Sequence, residues 1–286
     1  MAVYKRGYVR YDGPRTGRLA RLLVLPRFAG KQILSQRIVT MVLALAMFFP
    51  VGSAVYIYLA NRAYLLKGFS SELPALLTVD SAFFVIFMNA QSGFAIILAA
   101  LVGPSLVAPD LANGALPLYF SRPQSRTDYI IARMLVLVGL LSLITWLPGL
   151  LLFVLQSGMA GWSWFAPNWT LAVGMVGGFL LWVLLVGLVA MASSAYVRWR
   201  VVAGAVVLGV FFVLAGAAEL FNAVLRIEWA TAFNPARAMN QIWRVLLGAE
   251  ALPGPSALQC AAALAAIIVV LLLVLERKLR PVEVVK

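Results

Sequence analysis

Residues 170–197 read TLAVGMVGGFLLWVLLVGLVAMASSAYV, a run that contains no charged side chain. An α-helix rises about 1.5 Å per residue, so this run is long enough to cross a hydrocarbon core of about 30 Å. Its apolar residues are continuous, whereas the strands of a membrane β-barrel would alternate apolar and polar residues. In lipid, an open chain satisfies its backbone groups only as a helix. The run therefore predicts a transmembrane helix.

Five further apolar runs accompany this one along the chain. They cover residues 38–60, 81–108, 127–156, 201–220 and 256–275. Of the 286 residues, 63% are hydrophobic and only 12% are charged, whereas a soluble domain is typically about half apolar and a quarter charged. A water-soluble fold would have to expose large apolar patches. We therefore predict an all-α integral membrane protein with a cytoplasmic basic segment at 1–37 and a six-span transmembrane domain at 38–286.

The distribution of Lys and Arg predicts which side of the membrane each connection occupies. The chain carries 23 Lys and Arg against 10 Asp and Glu, a net charge of +13. Most basic residues lie in the N-terminal segment and in the connections that six alternating spans put on that same side, which the positive-inside rule assigns to the cytoplasm. We expect a multi-pass protein of the inner (plasma) membrane with both termini cytoplasmic. Because the basic residues are scattered between apolar runs, we expect no nucleic-acid partner.

Two segments outside the runs have amphipathic patterns. Residues 16–37 begin as a basic amphipathic helix, which Pro26 is expected to interrupt; the alternative is a solvated basic tail. We predict an interfacial helix whose cations bind anionic membrane lipids. Residues 221–255 are too polar to span and too apolar for a plain loop. Their aromatic residues, among them Trp229 and Trp243, predict short helices or a re-entrant hairpin at the outer interface before the last span.

Several residue patterns that catalysis requires are missing from the sequence. There is no histidine, and the single cysteine, Cys260, lies in an Ala-rich apolar run. The only Gly-Lys pair, Gly30-Lys31, lacks the upstream glycine and the following Ser or Thr of a Walker A loop. We therefore predict no catalytic residue, no metal site and no cofactor in this chain. No acidic residue lies at the centre of a run, which argues against proton or sodium coupling.

Residues 108–126, APDLANGALPLYFSRPQSR, interrupt the apolar pattern between the second and third runs. Asp110 is a good N-cap and predicts the start of a short helix, while Gly114 permits close backbone approach. We expect a small rigid knob at the cytoplasmic face that docks in a groove of a soluble partner; the alternative is an ordinary turn. Six residues are candidate contacts with that partner: Asp110, Leu111, Gly114, Leu118, Pro123 and Arg126.

This stretch resembles the cytoplasmic loop of ABC-2-type transporter permeases. In that family the loop after the second span carries an acidic residue, a glycine with a small neighbour, a Pro-x-Ser-Arg turn and a basic residue in the third span. The matching residues here are Asp110, Gly114, Pro123, Ser125, Arg126 and Arg133. The acid is Asp where Glu is more frequent, and Ala115 replaces the usual Thr. The order of the segments, with a basic interfacial helix before six spans, is similar as well.

The resemblance implies an exporter subunit that does not hydrolyse ATP itself. Two permeases, either two copies of this chain or this chain with a homologue, would pair, and two separate ATPase subunits would bind ATP and magnesium. Each loop would act as a coupling helix in an ATPase groove. The alternative from another class is an ion-coupled secondary transporter or a channel subunit.

Polar side chains near the middle of the second run are candidates for a substrate pathway. They are Asn89, Gln91 and Ser92. Buried amides in lipid commonly bind across helices, so hydrogen bonding between helices is the alternative interpretation.

Prolines and small residues also mark places where spans bend or pack closely. Pro50 in the first run and Pro148-Gly149 in the third predict kinks or breaks, and Gly174, Gly177 and Gly178 predict a Gly-x-x-x-Gly face that packs a neighbouring helix.

Overall fold

The computed structural model describes residues 17–62, 77–114, 126–197 and 199–278, and within these ranges the regular structure is helical, without strands. The elements in chain order are α1 (Arg18–Leu34), α2 (Arg37–Asn61), α3 (Ser81–Ala112), α4 (Arg126–Ser142), α5 (Trp146–Ala160), α6 (Trp162–Tyr196), α7 (Arg200–Leu225), a 3-10 helix (Trp229–Phe233), α8 (Pro235–Leu246) and α9 (Ala257–Lys278).

Six segments are long and apolar enough to cross a membrane, which confirms the predicted all-α membrane fold. They are Arg37–Asn61, Ser81–Asp110, Thr127–Ala160, Trp162–Tyr196, Arg200–Leu225 and Ala257–Lys278. An even number of crossings puts α1 and the end of α9 on the same side. Contacts agree with this arrangement, because Arg200 Nη2 donates to Gln36 Oε1 at 2.7 Å and the Lys278 ammonium lies 5.0 Å from the Tyr196 ring centroid.

The fourth span begins at Trp162, well before the predicted residue 170. Its first turns contain Trp, Asn and Pro167, which lower the hydropathy of the sequence there. They are helical because their aromatic rings pack on α5: the ring centroids of Trp164 and Phe165 lie 5.5 and 6.0 Å from that of Phe153. The start of this helix therefore depends on a tertiary contact that a hydropathy pattern does not reveal.

The third span is broken into α4 and α5, just before the predicted position at Pro148-Gly149. Residues 143–145 form the break, and the polar side chains at and beside it are bonded locally. Thr145 Oγ1 donates to the Leu141 carbonyl at 2.8 Å, and Trp146 Nε1 donates to Ser142 Oγ at 2.8 Å. Pro148 lies in the first turn of α5, where a missing backbone N–H costs little.

The prolines of the first two helices do not interrupt them. The expected interruption of the interfacial helix at Pro26 is wrong, because α1 continues through it from Arg18 to Leu34. Helix α2 likewise continues through Pro50 to Asn61. A single proline removes one backbone N–H, and the adjacent turns keep their own hydrogen bonds. Helix α1 packs against α4 and α2.

Helix α6 is the central element of the bundle. It contacts α3, α4, α5, α7, α8 and α9, and every residue from Leu185 to Ala195 is buried. Around its middle lies an aromatic cluster in which the Trp182 ring packs on Phe211, with centroids 5.6 Å apart, and on Trp243, 5.9 Å apart. The core of the protein is therefore built around this helix, whose C-terminal half is the most deeply buried part.

The predicted helical excursion before the last span is confirmed as the 3-10 helix and α8. Asn234 caps α8, its Oδ1 accepting hydrogen bonds from the N–H groups of Ala236 (3.1 Å) and Arg237 (3.3 Å). Helix α8 enters the bundle, since Trp243 is only 1% exposed. Trp243 packs among the core helices, and the expectation that the 221–255 segment lies at the outer membrane interface stays a prediction.

The predicted small-residue face of α6 is what admits α8. A Cβ on Gly178 would lie 2.6 Å from Trp243 Cδ1, and a Cβ on Gly174 would lie 2.9 Å from the Leu246 carbonyl oxygen. Both positions therefore require glycine for close helix packing, as the sequence indicated.

Candidate functional site

The candidate site lies where α3 ends and α4 begins, on the same side as the end of α9. Helix α3 continues through Pro104 and Pro109 to Ala112, so Asp110 does not start a new short helix as expected. It lies in the last turn of α3, which the Asn113 N–H closes by donating to the Pro109 carbonyl at 3.0 Å. A proline near the end of a helix removes a single N–H and does not prevent the turn from closing.

Three polar side chains converge at this junction. Tyr129 Oη donates a hydrogen bond of 2.7 Å to Asp110 Oδ2, and Arg133 Nη2 forms an ion pair with the same oxygen. The Arg133 guanidinium carbon lies 5.3 Å from the Tyr129 ring centroid. Tyr129 and Arg133 are four residues apart, so they share one face of α4, and together they hold Asp110 of α3 between them.

This cluster is withdrawn from solvent. Tyr129 is 0% exposed and Arg133 is 8% exposed, and the Asp110 side chain retains only 15% of its exposure. Removing one partner from a buried ion pair leaves an uncompensated charge and costs about 3–5 kcal/mol. The cluster therefore fixes the end of α3 against the start of α4.

The same end of α3 is joined to α6 through a serine. Ser194 Oγ accepts a hydrogen bond of 2.9 Å from the Ala108 N–H and donates one of 3.4 Å to the Pro104 carbonyl. Ala108 and Pro104 are the two ends of one helical turn, so the hydroxyl of α6 stands between the partners of an α3 hydrogen bond. Such an insertion couples the position of α3 to that of α6.

Close backbone contact reinforces this connection. A Cβ on Gly103 would lie 2.5 Å from the Ala190 Cβ, so α3 and α6 touch directly one turn from the Ser194 bond. The end of α3 is thus bound to α4 by charge and to α6 by packing.

The structure places only part of the predicted coupling stretch. Leu111 lies in the last turn of α3, Gly114 follows it with a φ of +62°, and Arg126 is the first residue of α4. Leu118 and Pro123, with the rest of the predicted knob at 115–125, lie outside the described residues. The left-handed backbone of Gly114 is the conformation in which helices commonly end.

Sequence reasoning missed the pairing within the cluster. The resemblance identifies Arg133 as the basic residue of the third span, but residue types alone predict neither its contact with Asp110 nor a role for Tyr129. The available signal was positional: an acid ends one apolar run and an arginine lies two turns into the next. A charge at that depth is expected to have a partner.

The three candidate pathway residues do not form one polar surface. Gln91 Nε2 crosses to α2 and donates to the Ala46 carbonyl at 3.0 Å, whereas Asn89 Nδ2 and Ser92 Oγ bond to backbone of their own helix. Gln91 is fully buried, and its Oε1 has no hydrogen-bond partner among the described residues. The contact of Gln91 is of the interhelical kind, and a pathway role for all three stays a prediction.

A largely apolar cleft of about 490 Å³ lies between α2 and α3, near the end of α2 and the start of α3 and thus at the end of the bundle opposite the α3–α4 junction. Phe48, Tyr56 and Phe83 contribute to its walls, and Asp80 lies at its edge. Asp80 Oδ1 accepts a hydrogen bond of 3.1 Å from the Phe83 N–H, so this carboxylate caps the start of α3. The cleft offers apolar surface to a ligand and one carboxylate that already has a structural contact.

Within the four described ranges, no three His, Cys, Asp or Glu side chains lie close enough together to bind a metal ion. Cys260 is buried in the first turn of α9, and its Sγ lies 3.9 Å from the Pro255 carbonyl.

Comparison with protein-family models finds no match to this chain, and comparison with curated proteins finds none either. The functional interpretation therefore depends on the six-span fold and on the α3–α4 junction.

Proposed function

We propose that this chain is the transmembrane permease subunit of an ABC-2-type exporter, driven by ATP hydrolysis in a separate subunit. Six helices capable of spanning a membrane make the chain a multi-pass membrane-type protein and fit a membrane transport protein. The assignment to an ABC-2-type exporter is supported by the motif at 110–133 and by the buried contacts that Asp110 and Arg133 make at the α3–α4 junction.

The observation that carries the proposal is the buried cluster of Asp110, Tyr129 and Arg133. It joins the two helices from which the stretch 115–125 departs. A force applied to that stretch by a soluble subunit would act on a firmly connected pair of helix ends. Through Ser194 the same force would reach α6, which contacts most of the bundle.

In this proposal the ATPase subunit supplies the nucleotide chemistry, with ATP and magnesium. The chain has no Walker A loop of its own. The 115–125 stretch would face the cytoplasm of the plasma membrane, together with both termini, in agreement with the excess of Lys and Arg on that side. A second permease, either another copy or a homologue, would complete the transporter.

The test has a biochemical and a mutational part. A tagged chain purified gently from its natural membrane should bring down a subunit with a Walker A loop, and the chain alone should not hydrolyse ATP. In the reconstituted complex, Asp110→Asn and Arg133→Gln should leave ATP hydrolysis by the partner subunit present. The two variants should reduce the increase in that hydrolysis that accompanies transport. The matched control is Arg237→Gln, which breaks the exposed Arg237–Glu219 pair (3.0 Å) on the opposite side. Normal coupling in both junction variants, or hydrolysis by the purified chain alone, would reject the proposal.

The second candidate, an ion-coupled transporter or channel, is favoured by the broken third span. Discontinuous helices often form ion and substrate sites in secondary transporters. Here, however, the side chains of Ser142 and Thr145 at the break bond locally, and no acidic residue lies near it in the sequence. Uptake driven by a proton gradient, in liposomes that contain this chain alone, would favour this candidate over the first.

A further inference from the structure

A groove with a charged mouth and apolar walls opens where α2 and α7 begin. Its volume is about 930 Å³, and its walls include Ile38, Leu101 and Leu208. Helix α3 closes its base: a Cβ on Gly204 of α7 would lie 2.6 Å from the Ala100 carbonyl oxygen of α3. The groove therefore runs along the outer surface of the bundle, from the helix starts towards the membrane interior.

The mouth of this groove carries two arginines. Arg37 is the first residue of α2 and Arg200 the first residue of α7. Arg200 Nη2 donates to Gln36 Oε1 at 2.7 Å, and this neutral acceptor leaves the guanidinium charge uncompensated. Neither arginine is in an ion pair within the described part of the chain, and the residues that line the groove include no Asp or Glu.

The two helix starts add to this positive potential. Neither α2 nor α7 has a side-chain cap or an acidic residue in its first turn. The first N–H groups of each helix therefore keep their partial positive charge beside the two guanidinium groups. The two helix starts and the two arginines lie together at the mouth of the apolar groove. This arrangement matches a ligand with an anionic head and an apolar tail.

We propose that this groove binds an anionic phospholipid of the surrounding membrane. Its phosphate would contact Arg37 and Arg200, and one acyl chain would lie between α2 and α7 against α3. A soluble anion has no tail for the walls, and a zwitterionic lipid would bring its own cation to two guanidinium groups. The proposal requires only that α2 and α7 span a membrane, and it does not depend on the exporter assignment.

The first test measures lipid binding by native mass spectrometry of the full chain, with phosphatidylglycerol or phosphatidylcholine added in detergent. Wild-type protein should retain phosphatidylglycerol preferentially. One arginine near a membrane surface is worth about fivefold in binding, so the double variant R37Q/R200Q should lose about 30-fold in phosphatidylglycerol affinity. Its weak phosphatidylcholine binding should not change. Arg62→Gln, at the opposite end of α2, is the matched control and should bind as wild type.

The second test separates the acyl-chain site from the charged mouth. Ala205 lines the groove and its side chain is exposed, so Ala205→Phe should fill the groove and displace phosphatidylglycerol with both arginines intact. Val213→Phe, at an exposed position of α7 outside the groove, should retain the lipid. Phosphatidylglycerol binding that is unchanged in R37Q/R200Q or in Ala205→Phe overturns the proposal. A wild-type dimer that covers the groove and holds no lipid overturns it too.

Discussion

Gly178 of α6 lies directly against the indole of Trp243 in α8, so closely that a Cβ at residue 178 would stand 2.6 Å from Trp243 Cδ1. Gly177, the preceding residue, has no atom within 4 Å of the position where its Cβ would lie. Two adjacent glycines therefore have different structural demands, and the bundle depends on one of them.

We expect Gly178→Ala to destabilise the protein and Gly177→Ala to leave it nearly unchanged. Trp243 is buried and cannot rotate away from the added methyl group, and overpacking of this kind typically costs about 1–3 kcal/mol. Thermal unfolding of the two variants in the same detergent measures the difference. Equal melting temperatures would mean that α8 does not pack on α6 as described.

The cluster of Asp110 and Arg133 should show strong energetic coupling. Each single variant, Asp110→Asn and Arg133→Gln, is expected to lose about 3–5 kcal/mol, because it breaks an ion pair between two side chains that are largely withdrawn from solvent. The double variant should lose much less than the sum of the two, which a double-mutant cycle on unfolding free energy measures. Arg237→Gln removes an exposed pair and should cost about 0–1 kcal/mol. Additive losses at 110 and 133 would contradict the ion pair.

Ser194→Ala should loosen the end of α3 without affecting α6 itself. The variant removes the hydroxyl that binds the Ala108 N–H and the Pro104 carbonyl. Hydrogen exchange is then expected to accelerate at the amides of residues 105–112. Ser193→Ala is the control, because Ser193 Oγ only bonds back to the Val189 carbonyl of its own helix. Faster exchange in both variants, or in neither, would show that the Ser194 contact does not hold α3.

Asn234→Ala should weaken α8 at its start. The Asn234 side chain accepts from the N–H groups of Ala236 and Arg237, and loss of such a cap costs about 1 kcal/mol. Asn234→Asp keeps the acceptor and should remain close to wild type. Thermal unfolding distinguishes the two variants, and equal losses would indicate that the cap hydrogen bonds are not the cause.

The sequence predicts most closely those spans whose limits depend on composition alone. Helix α9 begins within one residue of the expected start at residue 256 and covers the rest of the expected run 256–275, because apolar residues fill that run. Helix α6 begins earlier than expected because Trp164 packs on Phe153 of another helix. A contact between side chains of two different helices leaves no periodic signal in either segment.

The candidate site could likewise be predicted only in part from the sequence. Asp110 was recognised from its type and position, but its conformation was not, since Asp after Pro at the end of an apolar run is equally compatible with a helix start and with a last turn. Arg133 shares a buried face of α4 with Tyr129, and that burial is set by neighbouring helices. Which side chains meet was therefore a question of packing that residue types alone could not answer.

The indoles of Trp182 and Trp243, 5.9 Å apart and nearly perpendicular, also give the protein an intrinsic optical probe. At this separation their electronic transitions couple, and the coupling produces a circular dichroism signal that depends on both distance and angle. Withdrawal of α8 from the bundle would abolish that signal, and no attached dye is needed to detect it. The native chain therefore allows movement of α8 to be followed in solution, and Trp243→Phe supplies the blank spectrum.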